Sequence, residues 1–355
     1  MTDKTSSGFV TQGQFIDFIE KTFGEGYLSR DKQNLSVVCP KCKKLKNTEK
    51  KKLAIHTTFY GYHCWSCKIK GKNIGSLIKR YKPFAFPFFH EKFGSSVKSI
   101  EQINESDEID GINLKLPLGF ISFVDAINIK HESLKKFLPY IKERGLTYNN
   151  LVYYKMGFTD LDKDFKDKII IPSFDQEGKL NFFTSRMIHD RMPQYKYLNC
   201  NEDVDSIIYN ELYINWEEPV LVVEGPFDAI KCQSQNVLCL LGKRINKESY
   251  LFHTITTKKP KIILCLDSDA TNEQEKIAKT LFENNIDVSV LELPKGMKDF
   301  GDLKETNDFE QILSSCYPWF PSNYLAHKVD SLSNFIRKDE NSSHSRHSHS
   351  FKRTA

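Results

Sequence analysis

The 355-residue sequence lacks any apolar run approaching the roughly 20 residues that a membrane-spanning helix needs. Its first ten residues, MTDKTSSGFV, lack the charged-then-apolar order of a secretion signal, so a cytoplasmic protein with no membrane partner is expected. There is no internal repeat. There is also no GxxxxGK[ST] phosphate loop, so an attached ATP-driven motor is not expected. Nine cysteines, an odd number without a secretion signal, argue against a disulfide framework and for reduced thiols with a metal site. The ending DENSSHSRHSHSFKRTA lacks any hydrophobic period and reads as a disordered tail whose histidines need no metal to explain them.

What is present describes an ordinary folded chain, 39% hydrophobic and 27% charged, with material for two or three domains. Its net charge of +5 is unevenly spread. Residues 1–100 carry 19 Lys/Arg against 7 Asp/Glu, a balance of +12, which leaves −7 for the rest. A basic amino-terminal module on a mildly acidic body suggests a polyanion partner for the first and cation chemistry for the second; a solvated lysine-rich surface would give the same count.

FIDFIEKTF (15–23) repeats apolar residues at helical spacing, and IGSLIKRY (74–81) reads as a short closing helix. The stretch 83–111, first Pro- and Phe-rich, then small and polar, then acidic, has no sustained period and reads as linker. HESLKKFLPYIK (131–142) suggests a helix with a break at Pro139. Two apolar runs around Asp-Gln-Glu-Gly in 168–188 predict a hairpin. From residue 219 continuous apolar strands alternate with amphipathic helices, the pattern of a buried, mostly parallel α/β sheet.

Two chemical constellations stand on this framework. Cys39 and Cys42 form one Cys-x-x-Cys pair and Cys64 and Cys67 another, with 21 residues between. Each pair can form a knuckle presenting two thiolates, and a hairpin between them would complete a tetrahedral site for one structural Zn2+. His63 could substitute for a neighbour, but four cysteines already fill the shell, and His56 reads as an ordinary strand residue. Seven lysines between 41 and 52, and the rings of Phe59, Tyr60, Tyr62 and Trp65, make nucleic-acid contact the functional reading of this module. The plainer reading is a metal staple for a domain with little core.

The second constellation is acidic. VLVVEGPFDAI (220–230) ends a strand with Glu224 and sets Asp228 in the next helix, IILCLDSDA (262–270) ends another with Asp267 and Asp269, and KDFGDL (298–303) adds Asp299 and Asp302. Carboxyl ends of parallel strands are where ligands gather, and collected carboxylates call for a divalent cation such as Mg2+, which keeps positions open for phosphate oxygens. Singly, each acidic residue is an ordinary turn or cap residue. The combination of EGxxD and DxD on successive strands is not.

VVEGPFD and LDSDA resemble the two halves of a TOPRIM domain. YIKERGLTYNNLVYYKMGF (140–158), IIIPSFDQEGKLNFFTSRMI (169–188) and QYKYLN (194–199) resemble, in order, segments of the polymerase core of DnaG-type primases, which also begin with a zinc ribbon. The resemblance spans residues 30–310. It implies an α+β multidomain fold: a zinc-ribbon template-binding module (1–82), a linker (83–118), the N-terminal part of a polymerase core (119–218), an α/β TOPRIM catalytic domain (219–312) and a C-terminal segment with a disordered tail (313–355).

The same resemblance implies primer synthesis: ribonucleoside triphosphates joined on a single-stranded DNA template with Mg2+ or Mn2+. It makes Glu224 the group nearest the chemistry and Asp267 and Asp269 metal ligands, with Asp228, Asp299 and Asp302 completing the cluster. It puts Arg144, Arg186 and Lys196 in the groove for template and nucleotide, where residue type alone would favour surface ion pairs for the two arginines. Ser268 and Thr271 stand where glycines are frequent, and Pro226-Phe227 where Tyr-Met is usual, which bears on loop geometry rather than reaction class. The compact layout is similar to tailed-phage primases working with a separate replicative helicase, in the host bacterial cytoplasm. The competing readings are a TOPRIM topoisomerase or nuclease, which would cut DNA, and a non-catalytic recombination or replication mediator, which would only bind it.

Overall fold

Leu35 and Val37 on one strand, and Leu53 and Ile55 on the next, are buried while their neighbours are less so, the period-2 pattern of a sheet with one face on a core. They belong to the first of three five-stranded sheets in the computed structural model, which describes residues 11–94, 114–189, 196–232, 236–294, 296–300, 312–323 and 329. This sheet runs antiparallel in chain order, β1 (Tyr27–Leu28), β2 (Asn34–Val37), β3 (Leu53–His56), β4 (Tyr62–Cys64) and β5 (Lys70–Gly71).

Helix α1 (Gln12–Phe23) starts at a capping box in which the Thr11 hydroxyl accepts from Gln14 N and the Gln14 side chain accepts from Thr11 N. Helices α2 (Pro40–Lys46) and α3 (Ile74–Tyr81) follow in the chain. Phe15, Phe18 and Ile19 of α1 and Leu77 and Ile78 of α3 fill the core under the sheet.

The linker expected from residue 83 is corrected over its first part. Pro83–Ala85 forms a 3-10 turn and Phe86–Phe93 forms α4, with Phe89 and Phe93 buried. Phe93 lies 5.4 Å from Phe15 and 5.2 Å from Phe18, ring centre to ring centre. Phe86, Phe89 and Phe93 are spaced at three and four, a helical stripe hidden within a composition that suggested a tether. Residues 95–113 of the expected linker lie outside the described residues, while Leu114 and Leu116 pack on the next core.

The second sheet, in the order β10-β9-β8-β7-β6, is antiparallel throughout: β6 (Ile121–Ser122), β7 (Gly157–Phe158), β8 (Lys168–Phe174), β9 (Leu180–Met187) and β10 (Tyr197–Asn199). The hairpin of β8 and β9 turns at Asp175, whose carboxylate accepts from the amides of Glu177 and Lys179, with Gly178 at φ +78°. Helices α5 (Phe123–Asn128), α6 (Leu134–Glu143) and α7 (Tyr148–Tyr153) cover it. Pro139 does not break α6. Proline removes one backbone donor, and the buried Phe137, Tyr140 and Ile141 hold the helix through it.

The third sheet has the order β12-β11-β13-β14-β15, from β11 (Val220–Val223), β12 (Val237–Cys239), β13 (Ile262–Leu264), β14 (Val288–Val290) and β15 (Tyr317–Pro318). Its first four strands are parallel and β15 is an antiparallel edge, so the segment expected after the catalytic domain begins by extending that domain's sheet. Helices α8 (Pro226–Lys231), α9 (Tyr250–Lys258) and α10 (Thr271–Glu283) alternate with the strands. The expected tail lies outside the described residues.

Strand β11 is buried on both faces, which explains its unbroken apolar run. Leu221 and Val223 share one core with Ile169, Ile171 and Phe182 of the second sheet, while Val220 and Val222 pack with Phe252, Ile277 and Leu281 of the helices. The second and third sheets therefore share one interior. Helix α7 is tied to α8 as well: Tyr154 Oη donates to Ala229 O at 3.1 Å.

The basic module docks on this body through charge. Lys41 meets Glu202 at 2.7 Å, Arg80 meets the same carboxylate at 3.4 Å, and Lys44 pairs with Asp203 and Asp205. Lys82 reaches Glu248 at 3.4 Å, and the Phe84 ring sits 5.1 Å from that of His253. Part of the amino-terminal charge excess is thus matched within the molecule.

Candidate active site and metal-binding clusters

Cys39 caps α2 with Pro40 at its first position, Cys42 lies inside that helix, Cys64 ends β4, and Cys67 follows in a turn where Lys68 N donates to Cys64 O. The β3–β4 hairpin brings the pairs together, and all four Sγ atoms lie within 4.8 Å of one another. Three of the four are buried. Crowded thiols share protons unevenly: the bonds to Cys64 and Cys67 push Cys39 far up, and the bond to Cys39 holds Cys64 far down. Four converging soft donors suit zinc. His63 lies beside this cluster with its ring 4.3 Å from Trp65, and His56 Nδ1 accepts from the amides of Thr58 and Phe59, a turn-holding role. Of the rings on the return arm, Tyr60 and Tyr62 are buried, whereas Phe59 and Trp65 are 76% and 62% exposed.

The carboxylates gather at the carboxyl edge of the third sheet. Glu224 follows β11; Asp228 lies in the first turn of α8, where its Oδ2 accepts from Gly225 N at 3.0 Å. Past β13 the chain turns with Ala270 N donating to Asp267 O, and Ser268 N donates to Lys298 O at 2.9 Å, which draws Asp299 alongside. Two overlapping triads result, each with ligand oxygens within 4.8 Å: Glu224, Asp267 and Asp269, and Asp228, Asp267 and Asp299. Asp267 belongs to both. Asp302 lies outside the described residues.

Burial and mutual repulsion set the charges here. Burial, then the Asp267 charge, raises Glu224 to about 7. Burial, then Asp267 and Asp299, raises Asp228 to about 7 as well, and Asp267 is itself raised by burial and its acidic neighbours. Asp269 differs: it is exposed, and a 2.7 Å hydrogen bond from Lys243 holds it below the ordinary carboxylate range. Glu224 Oε2 is buried with no hydrogen-bond partner. A buried carboxylate oxygen with no hydrogen bond and only a 3.8 Å ion pair to Lys243, set among further carboxylates, is a donor set that fits a hard divalent cation.

A cavity of about 520 Å3 opens between these carboxylates and the second sheet. Arg144, Arg186 and Lys196 line it opposite Glu224, Asp228, Asp267 and Asp299. Both guanidinium groups approach one ring, 5.8 and 5.7 Å from the centre of Phe227, and Arg186 also lies 4.5 Å over Tyr197. Arg186 is buried, the Nε of half-buried Arg144 has no hydrogen-bond partner, and among the described residues neither arginine forms an ion pair. Stacking on rings leaves guanidinium edges available for anions in the cavity. Asp269 does not line this cavity.

Sequence reasoning missed Thr184, Tyr197, Asn199 and Lys298, which also line the cavity, and Lys243, which bonds the carboxylates. Lys243 follows β12 in LLGKRI, at the same strand edge as the acidic motifs. That position was the available signal.

Residues 221–304 match the pattern of the Toprim-like family. Over 311 residues, 71% of its length, the chain is 24% identical to a DNA primase of Staphylococcus epidermidis. It is 21% identical over 296 residues to one of Staphylococcus aureus and 24% identical over 219 residues to one of Clostridium acetobutylicum. Over about two thirds of its length the chain is similar to bacterial DNA primases. It spans 50%, 48% and 35% of the lengths of these three relatives. Among solved structures, the zinc-binding and RNA polymerase domains of the Aquifex aeolicus primase align with 91% of this chain and 88% of theirs, at 16% identity and a TM-score of 0.46. A DNA primase domain from Pseudomonas aeruginosa aligns with 55% of this chain and 75% of its own, at 22% identity and a TM-score of 0.46.

Proposed function

We propose that the protein is a DNA primase that joins ribonucleoside triphosphates into short RNA primers on single-stranded DNA. The observation that carries this reading is one cavity lined by Glu224, Asp228, Asp267 and Asp299, drawn from two overlapping carboxylate triads, together with Arg144, Arg186 and Lys196, within a Toprim-like chain similar to primases. Phosphoryl transfer needs little more from a protein than in-line positioning and charge of the right sign on each oxygen. Mg2+ or Mn2+ bound by Glu224, Asp228, Asp267, Asp269, Asp299 and Asp302 would neutralise phosphate oxygens in the reaction.

In this reading Arg144, Arg186 and Lys196 hold the polyphosphate and template backbone, with the arginines oriented by Phe227 and Tyr197. In the same reading Glu224, raised to about 7 by burial and the Asp267 charge, would accept a proton from an attacking 3′-hydroxyl near neutral pH. The Cys39, Cys42, Cys64 and Cys67 cluster holds one structural Zn2+. The exposed rings of Phe59 and Trp65, and Lys50 and Lys52 beside them in the sequence, contact unpaired template bases and phosphates. The site of action is the bacterial cytoplasm, beside a replicative helicase.

The test incubates the zinc-loaded protein with single-stranded DNA, labelled ribonucleotides and Mg2+. Template-dependent primers from the wild type, and none from Asp267→Ala or Asp269→Ala with DNA binding intact, support the reading. Cleaved DNA, or binding without synthesis, would refute it.

A further inference from the structure

Lys243 is paired into the acidic cluster, where Lys298 also acts on Glu224, Asp267 and Asp269. Lys243 Nζ lies 2.7 Å from Asp269 Oδ1 and 3.8 Å from Glu224 Oε2. These are two members of the first triad, and among the described residues Lys243 forms no ion pair with Asp228 or Asp299 of the second. The loop that delivers it is tied to the strand that carries Glu224. Leu240 N donates to Val223 O at 3.0 Å, and Gly242 N donates to Glu224 O at 3.2 Å. Gly242 has φ +155°, backbone that favours glycine, so the turn placing Lys243 over the carboxylates is specified locally. The glycine is bonded to the very residue whose side chain the lysine approaches.

A divalent cation coordinated by Glu224 and Asp269 would lie about 2 Å from their oxygens. The ammonium already holds Asp269 Oδ1 at 2.7 Å and lies 3.8 Å from Glu224 Oε2, and a second cation this close is repelled. Both cannot stay. Lys243 places no such restriction on the second triad.

We infer that Lys243 is a resident counter-ion of the Glu224–Asp267–Asp269 triad: the free protein takes up one divalent cation at Asp228–Asp267–Asp299 and admits a second only when Lys243 is displaced. This rests on the reading of the carboxylates as a divalent-metal site. Lys243 is a positioning residue here, setting the order in which the triads fill. The plainer account is an exposed ion pair of little energetic consequence, and the two accounts differ in metal stoichiometry.

Mn2+ binding to the nucleotide-free, zinc-loaded protein, followed by electron paramagnetic resonance, separates them without any measurement of catalysis. Wild type should bind one Mn2+ tightly. Lys243→Gln should gain a second site, or bind it about tenfold or more tighter than wild type, and Lys243→Arg should follow the wild-type curve. Adding Asp269→Asn to Lys243→Gln should abolish the gain. Identical curves for wild type and Lys243→Gln would overturn the role of Lys243 and leave the metal site standing, as would a gain insensitive to Asp269→Asn. Failure of wild type and variant alike to bind Mn2+ would overturn both the inference and the metal reading beneath it.

Discussion

Lys41 and Glu202, 161 positions apart in the chain, meet at 2.7 Å with side chains only 12% and 6% exposed. Arg80 shares the same carboxylate at 3.4 Å. Removing one partner of a buried pair leaves uncompensated charge, at a cost of roughly 3–5 kcal/mol. Glu202→Ala should therefore destabilise the docked amino-terminal module, and urea unfolding should show an earlier or separate transition for it. Glu248→Ala, whose partner Lys82 is more exposed, should change stability by no more than about 1 kcal/mol.

The raised carboxyls make stability depend on pH in a stated direction. Glu224 and Asp228 hold protons up to about pH 7 in the folded chain, against ordinary values of 4.5 and 3.8. The native state thus binds more protons than the unfolded chain between those limits. Their contribution is fully present below about pH 4 and is lost as pH rises through 7. Metal binding needs the deprotonated forms. In Mg2+-free buffer with zinc retained, Asp228→Asn should flatten the fall in Tm between pH 5.5 and 8. Added Mg2+ should raise the wild-type Tm more at pH 8 than at pH 5.5; equal shifts would contradict the assignment.

Zinc and template contact are separable. Cys64→Ser should abolish zinc uptake, measured by metal analysis, and loosen the first sheet, because three of the four clustered thiols are buried. The combined change of Lys50, Lys51 and Lys52 to Ala should leave zinc content intact while weakening template-directed initiation and its salt dependence. Lys51 lies 4.1 Å over the Tyr27 ring, so part of any stability loss in this variant belongs to that contact.

The approach of two guanidiniums to the one Phe227 ring predicts a graded series. Arg186→Lys keeps the charge but loses the planar stack on Phe227 and Tyr197. It should lower kcat/KM for nucleotide triphosphate about tenfold or more, chiefly through KM. Phe227→Leu should move in the same direction with both arginines present. Unchanged kinetics in both variants would remove the arginines from nucleotide binding.

Much of this was legible because strong periods and spacings carry their own geometry. The β/α alternation after residue 219, the Cys-x-x-Cys pairs and the carboxylates at strand ends were all readable, since each is a local pattern. What escaped were long-range relationships. Nothing near Phe89 in the sequence announces Phe15 and Phe18 as its partners. Pro139 argued for a break because the local rule does not include the core that holds α6 together. Lys243 sits at the same strand edge as the acidic motifs, but only the fold shows that its side chain approaches Glu224.

The sharing of one interior by the second and third sheets has a mechanical consequence. Leu221 and Val223 are wedged against Ile169 and Phe182, so the basic and acidic walls of the cavity are two faces of a single close-packed block. Such walls cannot swing together like jaws. Under the proposed function, the cavity is a fixed mould to which an incoming nucleotide adapts its own conformation. Any gating motion then falls to the part held by surface charge, the amino-terminal module on its Lys41, Lys44 and Arg80 contacts.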